Sequence, residues 1–232
     1  LLYDAGVFLN VDLGELPGEP EALYALAHVA NIACGGHAGD DASIAQALQH
    51  CRAHGTRVGA HPSYPDRDGF GRAAMDLPPD LLRATVREQC ARLAEPARRL
   101  SLPITALKPH GALYHAANAD LAVARAVIEG AIDALGKDFA VLGPPIGSLS
   151  TVARQAGLAF AREGFADRGT RPDGTLIARG QPGALIEDPE AAATRARELL
   201  ASAGFETVCV HGDTPRAVAI AEAVRRVVDA AT

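Results

Sequence analysis

"ITALKPHG", residues 104–111, opens as a short apolar run and then breaks into a lysine, a proline and a histidine followed at once by glycine. The run reads as a buried strand, and its end carries a cation and an imidazole side by side. The chain repeats this arrangement. Strands are read at 7–12 (VFLNVD), 29–34 (VANIAC), 56–60 (TRVGA), 104–108 (ITALK), 139–142 (FAVL), 158–162 (LAFAR) and 207–211 (TVCVH). Five of the seven finish in ionisable groups: Asp12 and Glu15, His37, His61, Lys108 with His110, and His211 with Asp213.

Helical periodicity fills the intervals at 41–54, 80–100, 119–135, 189–202 and 215–229. In the first of these Ile44, Ala45, Leu48 and Cys51 share a face and Gly55 supplies a stop; Pro215 suits the first turn of the last. Strand and helix alternating from end to end predicts an α/β fold with a mostly parallel sheet, a single domain over 1–232, either doubly wound or closed into a barrel. In both, the carboxyl ends of the strands point to one side, so residues scattered along the chain can converge on one pocket. The segment 163–188 is too long and too rich in Gly, Pro and charge for a simple connection and reads as a functional loop.

A chain of 232 residues with 48% hydrophobic residues can bury a substantial core. Its formal charge of −6 argues against a general nucleic-acid binder, whose affinity comes from clustered Lys and Arg. Of the 22 basic residues only Lys108 and Lys137 are lysine, which makes a lysine at a strand end conspicuous. Cys34, Cys51, Cys90 and Cys209 are far apart and form no CxxC pair, consistent with a reducing cytosol. No secretory signal is evident, and no apolar run reaches the ~18 residues of a membrane span, so a cytoplasmic protein away from membranes is expected.

Each candidate has a structural counter-reading. Asp40 and Asp213 both precede helices and either can serve as an N-cap. His28, His50 and His54 fall in or beside helix patterns and read as surface or half-buried; Cys34 reads as a small buried hydrophobe rather than a nucleophile. Lys137 lacks the spacing and the following Ser or Thr of a phosphate loop, GFGRAA at 69–74 does not follow a strand, and there is no GxSxG elbow. Asp12, His37, His61, His110 and His211 are ligand types suited to Zn²⁺ or a similar ion, but no HExxH pair supplies two from one element, so a resident catalytic metal is left open.

The stretches NVDLGE, NIACGGHAGD, GAHPSYPDRDGFGR, LKPHGALYH, FADR with PDGTL, and CVHGD, in that order, resemble the LamB/YcsF family, the A subunits of ATP-dependent bacterial 5-oxoprolinase. The resemblance covers nearly the whole chain. It implies an irregular seven-stranded β/α barrel of the glycoside hydrolase and deacetylase type, and so decides for barrel over open sheet. It also implies cleavage of the 5-oxo-L-proline lactam to L-glutamate, ATP with Mg²⁺ as the energy source, and separate B and C subunits as partners. The chain departs from the family at Gly36, where an aromatic is usual, in the shortened LPGEPEAL, after the Asp167–Arg168 pair, where a tyrosine is usual, and at His115.

On that reading, Lys108 stabilises negative charge on the transferring phosphoryl group or the lactam oxygen, and Lys108→Ala abolishes turnover with the fold intact. Asp12 or Glu15, with His61 or His110, is the general base for water. Arg72 or Arg168 binds the substrate carboxylate, with His37, His211 and Asp213 completing substrate binding; the alternative for Arg168 is a loop salt bridge to Asp167 or Asp173. ATP binds partly or wholly through the partner proteins, and a homo-oligomer is compatible with the sequence. Two other readings stand beside this one: a metal-dependent amide or acetyl hydrolase on the same barrel face, and a non-catalytic protein that binds a small acid.

Overall fold

The structure, a computed structural model, describes residues 6–171, 175–202 and 204–231. Its strands are β1 (Phe8–Leu13), β2 (Val29–Ala33), β3 (Arg57–His61), β4 (Ile104–Leu107), β5 (Ala140–Gly143), β6 (Ala159–Phe165) and β7 (Thr207–His211). They are parallel, follow one another in chain order, and close when β1 pairs with β7, setting Asp12 opposite His211. The barrel is irregular: the β3–β4 register shifts between Val58 and Gly59, and β4 and β5 share only the Ala106–Ala140 and Leu107–Val141 pairs.

The helices are α1 (Ala22–Leu26), α2 (Asp41–His54), α3 (Pro79–Arg99), α4 (Gly111–Ala119), α5 (Leu121–Leu135), α6 (Ser148–Gln155), α7 (Pro189–Ala201) and α8 (Ala217–Ala231). Asp40 accepts from the Ser43 amide and Ser43 Oγ accepts from the Asp40 amide, so Asp40 is the cap of α2. Asp120 accepts from the amides of Ala122 and Val123 and starts α5, which separates it from α4. Pro215 lies outside α8: the turn before that helix passes through Arg216 at φ +63°, so the first helical turn begins later than the sequence suggests.

Each strand shows two faces. Along β1, Leu9, Val11 and Leu13 join the core that the helices cover, while the alternate residues Phe8, Asn10 and Asp12 point into the barrel. The barrel floor is apolar, made of Phe8, Val29, Ala106, Ala140, Leu142 and Ala161. Above it Asn10 Nδ2 donates to Thr207 Oγ1 (2.9 Å) and Asn31 Nδ2 to Asn10 Oδ1 (2.8 Å). The next layers, toward the carboxyl ends, carry Asp12, Lys108, Glu163 and Cys209, then His61 and His211. Polarity therefore rises along the barrel axis toward one rim.

Candidate active site

Lys108 stands one residue beyond β4, 2% exposed, with its stem inside the barrel. Its Nζ lies 2.9 Å from Asp12 Oδ1, 2.9 Å from Glu163 Oε1 and 3.2 Å from Asn10 Oδ1. Burial alone would lower the pKa of this ammonium, but Asp12 foremost, with Glu163 beside it, holds it well above its ordinary value. Burial would likewise raise the Asp12 carboxyl; the attraction of His61, Lys108 and His211 outweighs it and keeps Asp12 ionised.

Past β1 the chain turns through Gly14 and places Glu15 among three imidazoles. Glu15 Oε1 lies 2.8 Å from His37 Nε2, 3.1 Å from His110 Nδ1 and 3.6 Å from His61 Nε2. The His37 and His110 rings stack with centroids 3.6 Å apart, and His61 meets His110 edge-on at 4.9 Å. Burial dominates the histidines: it lowers His37, and it takes His61 down to about 3, so His61 is neutral across the ordinary pH range. Glu15 is driven well below the carboxylate range, its burial penalty outweighed by the His110 and His37 imidazoles held against it. His61 joins the two groups, with Nε2 3.5 Å from Asp12 Oδ2.

At the end of β7, His211 Nδ1 lies 2.9 Å from Asp167 Oδ1 and its Nε2 3.7 Å from Asp12 Oδ2. Asp167 is fully buried and also accepts from the His211 amide and the Thr214 hydroxyl. Burial opposes charge on His211, but Asp167 wins and raises its pKa, while Asp167 itself is lowered. His211 thus bridges two carboxylates, oriented by one and facing the other.

A flap at 66–72 closes this rim. Phe70, at φ +54°, accepts from His110 Nε2 through its carbonyl oxygen at 2.9 Å and sets its ring edge-on to His37 and His110. Gly111, also at φ +54°, lets the flap approach: a Cβ there would lie 2.5 Å from the Gly71 carbonyl oxygen. Arg72 forms an ion pair with Asp213, whose other oxygen takes Arg179 Nη2 at 3.0 Å. Clefts of about 410 and 380 Å³ lie on the helical exterior, between α7 and α8 and between α3 and α5, far from this chemistry.

Asp12, Glu15, His37, His61, Lys108, His110 and His211, named from the sequence, therefore come together at one rim. Arg72 and Asp213 flank it as a pair, so Asp213 is not a helix cap. Arg168 is turned into its own loop, donating to the carbonyls of Ala184 (3.0 Å) and Ile177 (2.8 Å). Asp173, the other partner considered for it, lies outside the described residues. Glu163, Asp167 and Arg179 were not singled out as site residues. Glu163 had a signal: it continues the alternation Ala159, Ala161 into the barrel. Cys34 is buried with its thiol pushed up to about 12 by burial, fitting the packing role. At Gly36, where the family usually has an aromatic, the Ser63 and Gln89 side chains crowd the point where a Cβ would stand.

Among the described residues, two buried donor sets have atoms close enough to hold a metal ion: Glu15, His37, His61 and His110, and Asp12, Cys209 and His211. The second already surrounds a cation, since Lys108 Nζ lies 2.9 Å from both Asp12 Oδ1 and Cys209 Sγ.

The sequence profile of the LamB/YcsF family matches residues 7–232. The A subunit of 5-oxoprolinase from Methylococcus capsulatus is 44% identical, the alignment covering 94% of this chain and 90% of that protein. The corresponding A subunit from Pyrococcus horikoshii is 39% identical, over 96% and 94%. Among solved structures, a lactam utilization protein from Thermus thermophilus superposes with a TM-score of 0.88 at 34% identity, covering 97% of both chains.

Proposed function

The chain belongs to the LamB/YcsF family, and from that premise we propose that it is the A subunit of a 5-oxoprolinase, opening the lactam of 5-oxo-L-proline to L-glutamate at the expense of ATP. The relatives that carry the name of this A subunit support the reading over nearly the full length. The observation that carries it is the convergence of Asp12, Glu15, His37, His61, Lys108, His110 and His211 in one buried cluster, from strand ends separated by most of the chain.

A five-membered lactam is a stable amide, so its opening needs activation. Transfer of the γ-phosphoryl group to the lactam oxygen breaks a P–O bond of ATP, releases ADP and leaves an electrophilic imidate phosphate. Water adds at the former carbonyl carbon, the C–N bond breaks as nitrogen takes a proton, and the resulting acyl phosphate is hydrolysed by a second water to glutamate and phosphate. The site offers a base and an acid whose environments push them apart. Asp12 is held ionised and accepts the proton of the attacking water. His211, its pKa raised by Asp167, donates to the leaving nitrogen.

Lys108 orients Asp12 and balances its charge. Arg72 and Arg179, at the rim around Asp213, bind the substrate carboxylate when the flap opens. The sequence carries no phosphate loop, so the nucleotide and its Mg²⁺ are assigned to the partner B and C subunits, and this chain by itself is inactive.

Glutamate release from 5-oxoproline, measured with and without ATP and the two partner proteins, tests the reading. Turnover is expected only with all components present. Binding of 5-oxoproline without glutamate formation in the complete mixture overturns it in favour of a non-catalytic binding role.

A further inference from the structure

Two imidazoles in the Glu15 cluster have their tautomers fixed from outside. His61 Nδ1 lies 2.7 Å from the Lys108 carbonyl oxygen, and His110 Nε2 lies 2.9 Å from the Phe70 carbonyl oxygen. A carbonyl only accepts, so those nitrogens carry the hydrogens, and in the neutral rings the opposite nitrogens present lone pairs. These two, His61 Nε2 and His110 Nδ1, face one another at 3.0 Å, with Glu15 Oε1 3.6 and 3.1 Å away. With both rings neutral, three acceptors converge in a dry site where their mutual repulsion is unscreened. His37 Nε2 lies 2.8 Å from the same oxygen, but its ring stacks parallel on that of His110 with centroids 3.6 Å apart, so no single ion lies in the plane of both rings.

A single proton bridges two such atoms; a metal ion satisfies all three. A tetrahedral ion with bonds of about 2.0–2.1 Å has neighbouring ligand atoms about 3.3 Å apart, and the three separations of 3.0, 3.1 and 3.6 Å straddle that length. The hydrogen bonds to the Lys108 and Phe70 carbonyls are the outer partners that metal-bound histidines ordinarily have. Two imidazoles and one carboxylate favour a first-row transition ion over Mg²⁺ or Ca²⁺, which prefer oxygen throughout.

We propose that Glu15, His61 and His110 bind one divalent transition-metal ion, with Zn²⁺ as the first candidate and the fourth position left open to water. This differs from the ligand types noted in the sequence: Glu15 joins the set, and Asp12, His37 and His211 fall outside it. An ion here would supply Lewis acidity and an acidified water beside Asp12. The inference stands on donor geometry and not on the lactam reading, so metal content and glutamate release test the two separately.

The experiment strips the full chain with a chelator and titrates it with Zn²⁺ in a calorimeter, with a parallel Co²⁺ absorption spectrum. Saturation at about one ion per chain is expected, with ligand-field bands of a low-coordinate nitrogen and oxygen site. His61→Ala and Glu15→Gln are each expected to weaken binding by at least about tenfold. His50→Ala with His54→Ala removes the surface imidazoles beside Glu21 and leaves binding unchanged. Absence of saturable binding by Zn²⁺, Mn²⁺, Co²⁺ and Ni²⁺ overturns the proposal, as does binding lost with His50 and His54 but kept in His61→Ala. Should a cluster variant fail to fold by circular dichroism, the Co²⁺ spectrum of the wild-type chain decides, and missing bands overturn it.

Discussion

Removing the Lys108 ammonium strands two carboxylates inside the barrel. Read from sequence, Lys108→Ala leaves the fold intact; the pairing with Asp12 and Glu163 says otherwise, because an uncompensated buried charge costs about 3–5 kcal/mol. Urea denaturation is expected to show that loss, and Lys108→Met with Glu163→Gln to recover part of it by removing one of the stranded charges. His211 makes a second prediction. Asp167 raises its pKa, so the protonated acid persists to higher pH than a free imidazole would. Asp167→Asn is expected to move the alkaline limb of the pH–rate profile of the assembled enzyme to lower pH, with a fall in kcat greater than the change in KM. A limb that stays in place would show that His211 is not the acid.

At the scale of elements, the contact between the flap and the start of α4 is the tightest constraint on the site. Gly111→Ala puts a side chain on a left-handed residue, costing about 1–2 kcal/mol, and drives it into the Gly71 carbonyl. The flap must then lift, stretching the bond from His110 to the Phe70 carbonyl oxygen. Thermal denaturation is expected to show a lowered midpoint, and hydrogen exchange to show faster exchange at 66–72 with β1 and β7 unchanged. The strands were legible in the sequence because each is a short apolar run ended by glycine or a charged group. The 41–54 helix was legible down to its cap because a full amphipathic stripe lies between Asp40 and Gly55. The five residues of α1 and eight of α6 are too few to show a period, and α4 was hidden because GALYH reads as the tail of the motif at β4. The flap itself was quoted as a motif and not as a lid, since its closure depends on a contact 40 residues away in sequence, from Gly71 to Gly111.

For the whole molecule, convergence at one rim follows from parallel strands alone, which is why seven of the proposed site residues could be gathered from the sequence. The pairings could not: which carboxylate meets Lys108, or that Asp167 orients His211, depends on barrel register and on a loop course that leaves no periodic trace. Those pairings set the pH response of the entire fold. Burial lowers His37, His61 at about 3, His28 at about 4, and His115, so the unfolded chain binds protons near pH 6 that the folded chain refuses. Stability therefore falls as pH drops below the unfolded histidine value of about 6.5, by at most about 1.4 kcal/mol per pH unit for each such group. His211 acts in the opposite sense: its raised pKa contributes stability fully present below about 6.5 and lost as pH rises through its folded value. Asp12, Glu15 and Asp167 are depressed, so their contribution is present above about 4 and is lost as pH falls through their folded values. With four histidines against one, the urea midpoint is expected to decline from pH 6.5 to 5, before the carboxylates titrate, and then to drop further below pH 4. His61→Gln, which keeps a polar group there but takes no proton, is expected to flatten the first decline and leave the second. A midpoint constant from pH 7 to 5 would mean that the buried histidines are charged in the folded chain.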